Sequence, residues 1–518
     1  MTPEIVTVMP RTEGRSLSIG DEVTVGVDIG SSGVKVLAHS RVRGVLATAS
    51  VPVELYSPEP GWAEADPEEW WEATCRATRQ VVHDLPEGLP VSVVAVSGMV
   101  PAVVCVDARG GSLGPAMLQN DARATREIAE LARELAGIDL LERTGSVLSQ
   151  QSVAPSVRWL QRHEPDRWAK TRWVVGSYDY VAMRMGASPH VELNWAIESG
   201  LYDLAGEPVA AVWDAVRLDA DRVPALHRPG DAVGTLSASA AADLGLRGGT
   251  TIVVGGADHV MSAYAAGLAE EGDVLVKLGG AGDILAVANG PVLDSRLYLD
   301  AHPIPNRWLP NGCMATSGSM LRWLQTIHGR QDLEQLDQEA TGRPAAALVA
   351  LPYLLGEKTP HHDPWLRGAF LGVHLGTTAA DLHRAALEAI AYGFRQHVEV
   401  LREAGVAVTT VRVTNGGSRS VLWKQVLADV LNMPLIPVRD HPGASLGAAL
   451  AGSVQGPDDW VRAAAGIQYD TPIEPDGDRT RRYADAYQIF LDLQEQVNPL
   501  ARRLARLGAD EDTTERTG

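Results

Sequence analysis

Val25–Ala38 reads VGVDIGSSGVKVLA, and Val274–Val287 reads VLVKLGGAGDILAV. In each, branched apolar residues alternate into a Gly-rich turn and out into a second apolar run, the pattern of a hairpin. Val25, Val27, Ile29, Gly30 and Gly33 fall opposite Val274, Val276, Leu278, Gly279 and Gly282, whereas Asp28 and Lys35 face Lys277 and Ile284. Glycine lets backbone N–H groups come close to phosphate oxygens. One such turn in each half of a chain can close on two sides of a single phosphate chain. Two unrelated hairpins would share the pattern as well.

With 518 residues the chain exceeds one core and suffices for two large domains. Hydrophobic residues make up 45%, as a packed globular protein requires. A net charge of -20 disfavours nucleic acid or an anionic membrane as the main partner. It leaves an anionic nucleotide open, because backbone dipoles and Mg²⁺ reverse the field locally. Cys75, Cys105 and Cys313 have no metal-ligand spacing and fit a reduced, cytoplasmic setting. The first twenty residues carry Glu4, Arg11, Glu13 and Arg15 and show no apolar leader, and no apolar run is long enough to span a bilayer.

Strand-like and helical runs alternate throughout, which predicts α/β layers. Residues 92–98 and 251–256 read as buried strands. Residues 66–85, 124–136, 381–404, 420–431 and 478–507 read as helices, the last with a break at Pro499. Asp66 with Pro67 marks a helix start. The GLAEEG stretch, 267–272, separates two apolar segments, giving domains 21–267 and 268–500 and a polar tail, 501–518, whose end, 509–518, is expected to fray.

Asp28 stands where a strand meets a Gly/Ser turn. A carboxylate there holds Mg²⁺ against phosphates or, alternatively, caps the turn. Ser31 and Ser32 add hydroxyls and N–H groups, and Lys35 adds charge. In VVGGADHV an apolar strand delivers Asp258 at its carboxyl end, where α/β sheets bind ligands. Asp258 is suited to take a proton from a hydroxyl attacking a γ-phosphate, or to N-cap the next helix. Gly416 and Gly417 precede a helix N-terminus, a geometry that favours anions. The other singled-out residues have structural readings. Trp70 and Trp71 pack, Trp62 stays open between packing and stacking on a sugar, His361 and His362 lie in a solvated loop, and Asp179 caps a helix.

From roughly Val23 to Leu500 the chain resembles the FGGY carbohydrate kinases, within the superfamily of sugar kinases, heat-shock chaperones and actin. VGVDIGSSGVKVL is similar to the first phosphate motif and GWAEADPEEWW to an early segment. LQNDARA resembles the W-N-D-x-R phrase with Gln119 replacing Trp. GGADH is similar to the segment carrying the catalytic base, PYLLGEKTPHHDPWLRGAFLGV to the C-terminal signature, and NGGSRSVLWKQVLADVL to the adenosine motif.

The resemblance implies two RNase H-like domains of the actin-like ATPase type flanking a deep cleft. It implies ATP and Mg²⁺ as cofactors, Asp258 as base and Asp28 as the Mg²⁺-positioning acid. Gly30, Ser31, Ser32, Lys35, Gly279 and Gly280 would meet phosphates, and Gly416 and Gly417 the nucleotide. Asn120, Asp121, Met99, Asp258 and His259 would line the sugar site. The expected reaction is phosphorylation of a pentulose such as xylulose or ribulose. A gluconate- or erythritol-type acceptor is the alternative, and an actin-like ATPase or a sugar sensor the rival class. The expected partners are sugar and ATP, with a homodimer allowed.

Two departures stand out. The S-G-Q-M-H-G phrase of many xylulokinases is here Ser97-Gly98-Met99-Val100-Pro101-Ala102, without the polar Gln and His. The G-T-S of the second phosphate loop is Gly280-Ala281-Gly282, followed by an unexplained Asp283.

Overall fold

Both quoted phrases fold as antiparallel hairpins at the centre of a sheet. The computed structural model describes residues 22–329 and 332–515, so the reading of the first twenty residues and of the last three lies outside it. The chain divides into two compact units: 1–269 with 299–308 and 442–467, and 270–298 with 309–441 and 468–518.

In the first unit the sheet order is Ala232–Thr235, Thr251–Ala257, Val91–Gly98, Val23–Gly30, Gly33–Ser40, Gly44–Pro52. The hairpin strands Val23–Gly30 and Gly33–Ser40 are antiparallel, while Val91–Gly98 and Thr251–Ala257 continue parallel. In the second unit Trp308–Met314, Gly282–Ala286, Asp273–Leu278, Thr410–Thr414 and Leu435–Pro437 repeat that order with the same switch from antiparallel to parallel.

The registers differ by one residue. Gly30 pairs with Gly33 across a two-residue turn, but Leu278 pairs with Gly282 across three. Hence the cross-strand partner of Lys277 is Asp283, where Asp28 faces Lys35. The charged pair is kept with its signs reversed, and Ile284 is not the counterpart of Lys35.

The first sheet is covered by the Ala-rich helix Ala444–Gly452, buried from Ala444 to Ala451. Its small residues permit backbone contact: a Cβ on Gly26 would lie 1.9 Å from the Ser445 carbonyl oxygen, and one on Gly447 would lie 2.1 Å from that of Met261. The second sheet packs on Ala379–Glu403, opened by a Thr378–Asp381 capping box and burying Ala385, Ala389, Ile390 and Phe394.

The expected helices form with shifted ends: Pro67–Asp84 capped by Asp66, Thr125–Glu134, and Val421–Leu431 capped by Ser420. Two expectations fail. Gly477–Glu515 is one helix through Pro499, so the expected break is absent, and residues 509–515 of the end expected to fray are helical. One proline removes one backbone bond, and Tyr483, Tyr487 and Phe490, all buried, hold the helix on its neighbours. No helix among the described residues is long and apolar enough to cross a membrane.

Candidate active site

Three parallel strands of the first unit end side by side. Asp28 pairs with Ser97, Gly256 with Ser97 and Ala257 with Gly98. That register gathers Asp28, Met99 and Asp258 at one sheet edge, the carboxyl end, where helix N-termini and strand termini converge. Asp28 is buried and Lys35 exposed across from it, while Ser31 and Ser32 form the exposed turn. Asp28 pairs in register with Ser97, and the Ser31–Ser32 turn follows it in the chain, so the residues nearest it in sequence and register carry oxygen ligands. That set suits a hard cation such as Mg²⁺.

Asp258 is not a helix cap; it is the first residue of Asp258–Ala265, and Ala257 is the cap. Its carboxylate is 38% exposed. Oδ1 accepts from the His259 backbone N–H at 2.6 Å, with His259 Nδ1 3.4 Å away. His259 Nε2 lies 2.8 Å from Oδ2 of Asp300, whose side chain is 2% exposed. Burial opposes the imidazolium, but the Asp300 carboxylate, with Asp258 and Glu198, outweighs it and holds His259 well above the ordinary histidine range. One donor atom each of Glu198, His259 and Asp300 lies within 4.8 Å of the others.

Asp300 and Glu198 escape a linear reading because other residues deliver them. Glu192 caps the helix Leu193–Glu198, accepting from the N–H groups of Asn194 at 2.9 Å and Trp195 at 3.3 Å. Asn194 is fully buried; its Oδ1 accepts from Ala301 N–H at 2.7 Å and its Nδ2 donates to the Ala301 carbonyl at 3.1 Å. It therefore fixes the segment bearing Asp300 and is spent in doing so.

Other singled-out residues have partners within the fold. Asp121 is buried and accepts from Ala63 N–H at 2.7 Å and from Arg123 through its backbone, Nε and NH2 groups. Arg123 also bridges to Glu64 and lies 3.7 Å over the Trp62 ring, so Trp62 packs. Asn120 is exposed, and its carbonyl accepts from Gln150. Asp179 accepts from Gly176 N–H at 3.1 Å at a helix start. His361 and His362 lie in a turn, His362 exposed and His361 partly exposed, where His361 meets Gln494 at 3.0 Å and the Tyr353 hydroxyl at 3.4 Å.

In the second unit the Lys277↔Thr414 register carries the 279–281 turn and the Gly416–Arg419 turn to one edge. The carbonyls of Gly279 and Gly280 accept from the N–H groups of Gly318 and Ser317, both at 2.8 Å. A Cβ on Gly280 would meet the Arg322 guanidinium at 2.7 Å. Arg322, exposed and unflagged by the sequence reading, is thus a cation beside a turn that lacks the usual hydroxyls. Gly417 is required by packing, since a Cβ there would meet Trp423 at 2.4 Å and Leu278 at 2.7 Å; Gly416 faces open space.

Asp283 pairs with Lys277 at 3.2 Å, both partly exposed. Such pairs contribute little. Asp283→Ala is expected to change unfolding free energy by less than about 1 kcal/mol in a denaturant titration. A loss above about 2 kcal/mol would show the pair to be structural rather than a surface residue of the hairpin.

Residues 23–265 match the N-terminal domain and residues 287–456 the C-terminal domain of the FGGY family of carbohydrate kinases. The crystal structure of xylulose kinase from Rhodospirillum rubrum is similar at a TM-score of 0.86 and 38% identity, covering 93% of this chain and 100% of that one. Xylulose kinase of Escherichia coli (strain K12) is 29% identical over 489 residues, 92% of this chain and 99% of the relative. Gluconokinase of Bacillus subtilis (strain 168) is 24% identical, over 90% and 95%.

Proposed function

The chain belongs to the FGGY family of carbohydrate kinases, and from that premise we propose that it transfers the γ-phosphoryl group of ATP to a hydroxyl of a neutral pentulose, xylulose first among candidates. The observation that carries the reading is Asp258, an accessible carboxylate at the carboxyl end of the Thr251–Ala257 strand, oriented by His259. Asp258 accepts the proton of the attacking hydroxyl as the bond from that oxygen to the γ-phosphorus forms and the bond to the β-bridging oxygen breaks, releasing ADP. Lys35 and the Gly30–Ser32 turn are proposed to supply charge and N–H donors to phosphate oxygens, and Gly279, Gly280, Gly416 and Gly417 are the other proposed nucleotide contacts, with Arg322 a cation beside Gly280. Asn120, Asp121, Met99 and His259 complete the proposed sugar-site set, Asp121 and Met99 from buried positions. Mg²⁺, held through Asp28 and the neighbouring hydroxyls, would neutralise phosphate charge when bound.

The relatives support a pentulose, since xylulose kinases resemble this chain at 29% and 38% identity and gluconokinase at 24%. The test is ADP release with a panel of pentuloses, hexuloses, aldonates and polyols. A neutral pentulose is expected to exceed gluconate by roughly 10²-fold or more in kcat/KM. An aldonate as best substrate would overturn the substrate class, and ADP release indifferent to every polyol would overturn the kinase reading.

A further inference from the structure

His259 has a carboxylate facing each ring nitrogen. Its Nε2 lies 2.8 Å from Oδ2 of Asp300, and its Nδ1 lies 3.4 Å from Oδ1 of Asp258. A neutral imidazole has one N–H and one lone pair, so it serves only one of the two. With Nε2–H given to Asp300, a neutral ring would turn its lone pair on the proposed base. With both nitrogens protonated, each carboxylate meets a donor. Burial opposes that form, but Asp300 foremost, with Asp258 and Glu198, outweighs it.

Asp300 is held on every side. Its side chain is 2% exposed. The next residue, Ala301, is clamped through both backbone groups by Asn194. His302 Nδ1 accepts from the Ile304 N–H at 2.9 Å, which leaves Nε2–H to donate to the Leu268 carbonyl at 3.0 Å. The Glu198 carboxyl is hydrogen-bonded to that of Asp300. Two carboxyl groups share such a bond only when one is protonated. Burial, reinforced by the Asp300 charge, raises Glu198 well above the usual carboxylate range, so Glu198 is the donor and Asp300 the acceptor.

We propose that Asp300 is a positioning residue for phosphoryl transfer: acting through His259, it holds the Asp258 carboxylate by Oδ1 and leaves Oδ2 for the sugar hydroxyl. Oδ1 also accepts the His259 backbone N–H at 2.6 Å, so both donors converge on one oxygen and the carboxylate cannot rotate without losing them. The proton of the attacking hydroxyl passes to Oδ2 while its oxygen bonds the γ-phosphorus and ADP leaves. Orientation matters here, because displacing a reacting group by about 1 Å costs roughly 10²-fold. This rests on the kinase reading above and adds to it which oxygen of Asp258 acts and what holds it.

The experiment measures kcat and KM of wild type and Asp300→Asn from about pH 5 to 9. Asn still accepts from Nε2–H but removes the charge that favours the imidazolium. The ring should then lose its Nδ1 proton as pH rises through the ordinary histidine value of about 6.5 or below it. At neutral pH the kcat of Asp300→Asn is expected to be roughly 10-fold to 10²-fold below wild type, with KM for ATP within about threefold. The ratio to wild type is expected to recover as pH falls, whereas a merely structural loss would be equal at every pH. In a His259→Ala background the same substitution is expected to cost less than about threefold, because its route is gone. Glu192, pushed up to about 7 mainly by burial, also feels Asp300, and any effect through it would persist in that background. Nitrogen NMR of wild type, with His259 assigned by its loss in His259→Ala, is expected to show both ring protons kept to about pH 8, and it needs no Asp300 variant to fold. A wild-type ring that titrates near 6.5, a pH-independent ratio, or equal costs in both backgrounds overturns the proposal. Wild type that turns over no sugar would instead defeat the kinase reading, and the NMR result would still decide the state of His259.

Discussion

Asp258→Asn is expected to lower kcat for the sugar by roughly 10³-fold, about 4 kcal/mol of transition-state stabilisation, while ATP affinity stays within about threefold of wild type. Asn is isosteric and its Oδ1 can still accept from the His259 N–H that now lies 2.6 Å from Asp258 Oδ1, so the start of the Asp258–Ala265 helix is preserved. What is lost is the capacity to take a proton. His259 is a poor replacement: although burial opposes it, the Asp300 carboxylate 2.8 Å from its Nε2 favours the protonated imidazole, a form with no free lone pair to offer. Steady-state ADP release gives kcat and calorimetric titration of ATP gives affinity. Turnover within about tenfold of wild type would remove Asp258 from the base role, and a parallel collapse of nucleotide affinity would reassign it to the nucleotide site.

Much of this site was legible in sequence because its parts are local. The alternating runs at 25–38 and 274–287 specify hairpins, and an apolar strand ending in Gly255-Gly256 delivers Asp258 within a single phrase. The limits are equally physical. An ungapped comparison set Ile284 against Lys35, since nothing in composition says that one turn has two residues and the other three; only the register shows Asp283 opposite Lys277. Asp121 stands in the right phrase, yet its carboxylate is taken by Ala63 and Arg123, partners chosen by tertiary folding. Glu198 and Asp300 are about a hundred residues apart and meet at His259 only because the 299–308 segment returns to the first unit and Asn194 pins it.

The same tertiary closeness makes Gly26 the position where the smallest change should do the most structural harm. Gly26 lies in the central Val23–Gly30 strand, paired to Leu37 on one side and Ala95 on the other, so its backbone is fixed in both directions. A Cβ there would sit 1.9 Å from the Ser445 carbonyl oxygen and 2.7 Å from the Ala449 nitrogen, both backbone atoms that no rotamer change can move. Core overpacking usually costs about 1–3 kcal/mol when side chains can yield. Here the whole Ala444–Gly452 helix would have to lift, so Gly26→Val is expected to destabilise by about 4 kcal/mol or more, and Gly26→Ala by about 3. Gly447 of that helix rests on the Met261 backbone, within the helix that begins at Asp258. Displacing it disturbs the proposed base as well, so activity should fall in whatever fraction of Gly26→Ala remains folded. Gly137→Ala is the control, because a Cβ there meets nothing within 4 Å. Denaturant titration of the three variants reads the difference. A Gly26→Ala protein within about 1 kcal/mol of wild type would mean that the helix does not press on the sheet through this glycine.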